Sequence, residues 1–517
     1  MTFARSVAEG DETSRHWSVV LWTSAIFAAV LLPLTASLAG FQDGDGLLTA
    51  LISTQKLTWY FWGQDRLLNF IPALAYPIHD IEWNLRAQIF LRALFAFLAP
   101  AGILCFLTDD RRTIALGTLL TNAILMLALS QYAAFNLYVQ HNPFASSMVL
   151  LWAAWRLAQW RGVARWLAIV PILFIAYATN LALFAVALPM LGLIFVLGSR
   201  PRALIFGFGV ANVIAVYLAV RHGAVFGDAH DTRFGLAPSF EAIRNGYAYV
   251  AREIAWPWVL ATCVAMLALG TWKRAPRTLT ALGLAGGMLL LIGALSCAAW
   301  AQSNLYNIRY YLAFVLAFVA VATYMLLSVE NRLRIPSFAA PAVAALLLMT
   351  GFFVGLGGVS ATPRALVTPQ WRDEAPAIAR VALDERTPLI VGSFWDVWSA
   401  VFVADTTPGK PLMVYGGTLR GDVLRDRIVA AAAADGSVRT LCFLESVTAC
   451  ANMAAGGLKT PMVPAGEDPG KVMTVAGKTI RIVTLRFVDP TTAAMPAIGP
   501  WGHPASRHLP GAATTAH

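Results

Sequence analysis

The chain has 517 residues, 58% of them hydrophobic and 13% charged, with a mean hydropathy of +0.64. Soluble domains carry about 25% charged residues, so a single water-soluble globule is excluded, and so is a disordered chain, which needs low hydrophobicity. The net charge of +10 would suit a nucleic-acid partner, but on a membrane protein basic residues collect in cytoplasmic loops.

A helix that crosses a bilayer needs about 20 apolar residues. Candidate spans run over 17–39, 88–107, 114–135, 146–160, 166–180, 182–198, 203–220, 254–271, 279–300, 310–328 and 338–358. The run 166–198 is divided near Thr179 and Asn180, because one helix of that length would reach about 50 Å. The first apolar stretch is too long for a cleaved signal peptide. Basic residues gather in alternate connections, at Arg111 and Arg112, Arg161 and Arg165, Arg200 and Arg202, Lys273, Arg274 and Arg277, and Arg332 and Arg334, together with Arg5 and Arg15. The positive-inside rule then places the N-terminus in the cytoplasm. The first loop, 40–87, the loop 221–253 and the tail from 360 face outward, as expected of a multi-pass inner-membrane protein.

After residue 358 the apolar runs shorten to strand length at Pro388–Val391, Pro411–Val414, Val438–Leu444 and Thr479–Phe487. Helix-like stretches at 374–384, 396–404 and 420–434 lie between them. This alternation predicts a small α/β domain. The expected organisation is an all-α polytopic membrane domain over 1–358, an extracytoplasmic α/β domain over 359–490, and a Pro/Ala/Thr-rich disordered tail over 491–517. No Gly-rich phosphate loop occurs in the tail, so a nucleotide site is not indicated. Five cysteines make no disulfide framework. Cys442 and Cys450 would face an oxidising compartment, which permits a disulfide between them.

The first outside loop opens with Asp43-Gly44-Asp45-Gly46, an exposed turn by composition. Residues 47–62 follow with apolar and aromatic groups around a few polar ones, the pattern of an amphipathic helix lying at the interface. Trp59, Tyr60, Phe61 and Trp62 suit the headgroup region. The polar cluster Gly63-Gln64-Asp65-Arg66 comes next, and His79 and Asp80 close the loop. The loop therefore brings Asp43, Asp45, Asp65 and Arg66 to the depth of a lipid phosphate. Metal ligation is not indicated: the acidic string lacks the last ligand of a calcium loop, and Asp228, His230 and Asp231 complete no standard spacing. A divalent cation stays open as a cofactor without being indicated.

These residues carry a resemblance. The acid just past the first span, the helical outside loop, the many spans and the outside C-terminal domain resemble the GT-C superfamily of integral-membrane glycosyltransferases, which includes protein O-mannosyltransferases and lipid A aminoarabinose transferases. Gly44-Asp45 stands where that family often has Gly-Asp-Glu. Gly46 replaces the second acid, which leaves both Asp43 and Asp45 open as the base. Asn307-Ile308-Arg309-Tyr310-Tyr311, at the outer end of the tenth span, is similar to the family's Arg-Tyr motif. The resemblance implies a polyprenyl-phosphate sugar donor and a base in the first outside loop. It also makes His141, in the neighbouring outside loop, a candidate binding residue.

The chemistry matches those residue types. A carboxylate takes the proton of the attacking hydroxyl, and a guanidinium holds the departing phosphate through its paired donors. One carboxylate opposite the leaving group implies inversion at the anomeric carbon. Arg309 is the first candidate for the phosphate and Arg66 the second, with Gln64, Tyr310, His79 and His141 as further binding residues. The acceptor would be a lipid, glycan or protein hydroxyl, with no nucleic acid involved. Two other classes are a transporter and a non-catalytic assembly partner of an envelope pathway. A transporter would place ionisable groups at mid-membrane.

Overall fold

The computed structural model describes residues 2–38, 42–140, 143–160, 162–197, 200–227, 235–255, 276–333, 338–360, 373–466 and 470–488. A long helix, Thr2–Leu31, opens the chain, and the apolar stretch Arg15–Leu34 is long enough to cross a membrane. So are Ile81–Leu107, Arg202–Phe226 and Thr278–Ser296. Shorter apolar helices fill the rest of the bundle at Arg165–Thr179, Leu183–Leu197, Leu312–Ser328 and Ala339–Gly355. The expected divide near Thr179 and Asn180 is present, since Arg165–Thr179 ends there and Leu183–Leu197 begins. The expected span 254–271 falls largely outside the described residues.

One expected span is broken. The segment 114–135 forms two helices, Arg111–Ala128 and Gln131–Tyr138, because Leu129 turns to extended backbone and Ser130 caps the second helix on the Ala133 N–H at 3.1 Å. Leu129 bridges Ile254, and the Ser130 N–H donates to the Glu253 carbonyl at 2.8 Å. The pairing satisfies backbone groups that an interrupted helix leaves open.

Ile81–Leu107 is the centre of the bundle. Asp80 caps it on the Trp83 N–H at 2.9 Å, and from Ala96 to Leu107 every residue is buried. It also buries a charge. Arg92 donates to Gln42 Oε1, the Val139 carbonyl and Gln88 Oε1, each at 3.2 Å. Arg92 lies inside the expected span 88–107, and neutral oxygens surround it.

The C-terminal part is an α/β unit, as its alternating runs predict. Helices Glu374–Asp384, Phe394–Thr406, Arg425–Ala431 and Val447–Leu458 accompany a sheet ordered β2 (Tyr415–Gly416), β1 (Leu389–Val391), β3 (Ser437–Cys442), β6 (Lys478–Phe487), β4 (Met462–Pro464). β1 lies parallel to β2 and β3, and β6 runs antiparallel to β3. β4 and β5 (Lys471–Val475) both pair with β6. Cys442 ends β3 and is disulfide-bonded to Cys450, with the Cα atoms 6.0 Å apart. Helix Val447–Leu458 and strands β4 and β5 were not read from the sequence. The tail expected to be disordered lies outside the described residues.

This unit sits on the first loop. Gln55 Nε2 donates to Asp405 Oδ2 at 2.6 Å and to the Val414 carbonyl at 3.2 Å. Lys56 Nζ reaches the Val423 carbonyl at 2.7 Å, and the Trp62 and Trp398 rings lie 5.9 Å apart. The loop helix Gly44–Thr54 packs between Ile81–Leu107 and Phe394–Thr406. Leu47 through Ile52 are wholly buried there. The interfacial helix expected from residues 47–62 is therefore corrected to a buried one. Of its aromatic run only Trp59 is exposed, while Tyr60, Phe61 and Trp62 are covered.

Candidate functional site

The site is built where the first loop, the turn before helix Leu312–Leu333 and the C-terminal unit meet. Asp43 is the N-cap of helix Gly44–Thr54 and accepts from the Gly46 N–H at 3.1 Å. That cap is why the helix starts there, and it places Asp45 in the first turn with its side chain facing outward from the loop. A Cβ on Gly46 would stand 2.4 Å from Gln42 Oε1 and 2.7 Å from Gln140 Oε1, so a side chain there would displace the ends of both amides.

Asp45 lies between two guanidiniums. Arg309 Nη1 is 3.3 Å from Oδ2, and Arg420 Nη1 is 3.0 Å from Oδ1. Arg309 comes from a short turn, Ile308–Tyr310, whose shape is set by Asn307 accepting from the Arg309 N–H at 3.1 Å. Its other arm donates to the Tyr310 hydroxyl at 2.9 Å. Arg420 comes from the C-terminal unit, in the turn after β2. Its guanidinium lies 4.6 Å from the Phe61 ring centre and 5.1 Å from that of Phe394. Such stacking orients a planar cation and adds attraction. Gly63 gives it passage: at φ +68° it turns the loop away, and a Cβ there would lie 3.2 Å from Arg420 Cγ.

The electrostatics of the two acids differ. Burial first, and the Asp45 charge second, push the Asp43 carboxyl up from 3.8 to about 6. Its hydrogen bonds from Gln140 and the Gly46 N–H act against that rise. Burial opposes the Arg309 cation, but Asp45 and Tyr310 together outweigh it and hold its pKa above the ordinary value. For Arg420 burial prevails and lowers the pKa, with Asp45 offsetting part of it.

Of the residues singled out from sequence, Asp43, Asp45, Arg309 and Tyr310 come together. Gln64 is buried in the turn beside Gly63, with its backbone N–H on the Phe61 carbonyl at 3.0 Å. Arg66 is half-buried in the same stretch, next to Asp65, whose carbonyl packs on Gly223. His79 does not join them. It is exposed where the loop returns to Asp80, edge-on to Tyr76 at 6.2 Å, because that end of the loop is drawn to the start of helix Ile81–Leu107. His141 lies outside the described residues, although its neighbour Gln140 donates from Nε2 to Asp43.

Arg420 and Arg92 were missed. Arg420 lies in the C-terminal unit, where the sequence singled out no site residue. The one local sign is a lone cation between Gly416-Gly417 and Gly421, a flexible setting that brings backbone close to a partner. Among the described residues no group of three metal-ligating side chains converges.

No family model matches this chain, and no curated protein does. Among solved structures it is similar to the crystal structure of ArnT from Cupriavidus metallidurans bound to undecaprenyl phosphate. The identity is 13% and the TM-score 0.46, over 90% of this chain and 97% of that one.

Proposed function

We propose that the chain is a membrane glycosyltransferase that moves a sugar from a polyprenyl-phosphate carrier to an acceptor hydroxyl at the outer, periplasmic face of the inner membrane. One observation carries this reading: a loop carboxylate, Asp45, lies between two guanidiniums contributed by distant parts of the chain. The arginines are suited to a carrier phosphate, for which each offers paired donors. Phosphate binding would draw them from Asp45 and leave it free to accept a proton.

In the step proposed, the acceptor O–H gives its proton to Asp45 while its oxygen bonds to the anomeric carbon. The bond from that carbon to the phosphate oxygen breaks with its electron pair. The phosphate leaves as an anion held by Arg309 and Arg420. Attack opposite the leaving group inverts the centre. Asp43 holds the helix start and, through Gln140, the neighbouring loop.

The test is sugar transfer from a polyprenyl-phosphate donor in liposomes. Asp45→Asn preserves size and should lower turnover by about 10²–10⁴, the usual cost of losing a general base. Arg309→Ala and Arg420→Ala should each weaken donor binding. Near-normal turnover in both Asp45→Asn and Asp43→Asn would remove the base and with it this reading.

A further inference from the structure

A second basic site lies at the other end of the bundle. There Trp17 and Trp22 of the first span, Arg111 at the start of helix Arg111–Ala128, and Trp152 and Arg156 near the end of helix Pro143–Ala158 line a cavity of 360 Å³. Asp43 follows the opposite end of that first span. Its stretch Arg15–Leu34 is 20 residues long, so about 30 Å separates the two sites along the bundle.

The cavity combines features that fit one ligand. Its two arginines have only long bonds to neutral oxygens: Arg111 Nη1 to Ser18 Oγ at 3.4 Å, and Arg156 Nη1 to Gln159 Oε1 at 3.4 Å. Among the described residues neither pairs with a carboxylate. The neighbouring acids are engaged elsewhere, Asp109 by Arg200 and Asp110 by the Arg112 and Thr113 N–H groups of the helix start. Trp152 lines the cavity with its ring. Trp22 stacks on Trp152 at 6.2 Å and is itself 46% exposed, so an apolar wall continues outward from the cations. Cations backed by tryptophans at a bundle end match a phosphate that carries acyl chains.

We propose that this cavity holds the phosphate of an anionic phospholipid from the leaflet opposite Asp45. Arg111 and Arg156 take its oxygens, and its acyl chains lie along Trp22 and Trp152. The site is separate from the proposed carrier site and does not depend on it.

The full chain, purified and stripped of lipid in detergent, would be titrated with phosphatidylglycerol while its thermal unfolding is followed. Phosphatidylglycerol should raise the midpoint and phosphatidylcholine should not. The Arg111→Gln/Arg156→Gln variant should need about 30-fold more phosphatidylglycerol for the same rise, given what a basic residue contributes near an anionic headgroup. Arg156→Gln alone should need about fivefold more; it also covers the case in which the double variant fails to fold. An unchanged response in either folded variant overturns the proposal. So does an equal rise from inorganic phosphate alone, which would make the site one for the free anion.

Discussion

In the proposed mechanism Asp45, held by two guanidiniums, is a weak base until one of them is drawn away. Exchanging Arg420 for Lys keeps the charge but loses the stacking between Phe61 and Phe394. Asp43 makes a separate prediction. Its folded pKa of about 6 exceeds the ordinary 3.8, so between those values the folded state binds more protons than the unfolded one. Stability from this group is full below pH about 4 and is lost as pH rises toward 6. Thermal midpoints in liposomes across that range should fall for the wild type and fall less for Asp43→Asn, which keeps the helix cap. Equal slopes would mean Asp43 titrates normally. Asp43, Asp45, Arg309 and Tyr310 were all legible in the sequence because each sits in a short polar motif beside an apolar span. Arg420 was not: its role depends on a contact between residues 375 positions apart, and no local pattern records such a distance.

At the scale of elements, helix boundaries set by caps and apolar length were readable, and burial was not. Residues 47–62 carry the composition of an interfacial helix because apolar and aromatic groups surround a few polar ones. In the fold that same composition serves burial between two other helices. The break at Leu129 escaped notice because its cause includes a bridge to Ile254, distant in the chain, and the polar pair Ser130-Gln131 that starts the second helix is short enough to sit within a span. The loop's polar turn is held against helix Arg202–Phe226 by close backbone approach. A Cβ on Gly223 would stand 2.2 Å from the Asp65 carbonyl oxygen, whereas one on Gly209 of the same helix meets nothing within 4 Å. Gly209→Ala should therefore raise stability by up to about 1 kcal/mol. Gly223→Ala should lower it by about 1–3 kcal/mol through overpacking. Urea titration of the two variants checks this, and a matching response would show that the turn does not rest on the helix.

For the whole molecule, the outward assignment of the C-terminal unit rests on the charge pattern of the loops. A cysteine placed at the exposed Ala465 should react with a membrane-impermeant thiol reagent on intact spheroplasts, and one at the exposed Val163 should not. The reverse pattern would place the Asp45 cluster in the cytoplasm, away from the proposed outer-face chemistry. The docking of this unit on the first loop also has a consequence in time. Gln55 and its partner Asp405 are separated by 350 residues. At about 5–20 residues per second of synthesis, roughly 20–70 seconds pass between the emergence of helix Gly44–Thr54 and the arrival of the helix that covers it. For that interval the nascent loop has Leu47, Leu48, Leu51 and Ile52 without their final cover, and the membrane surface is the apolar phase at hand.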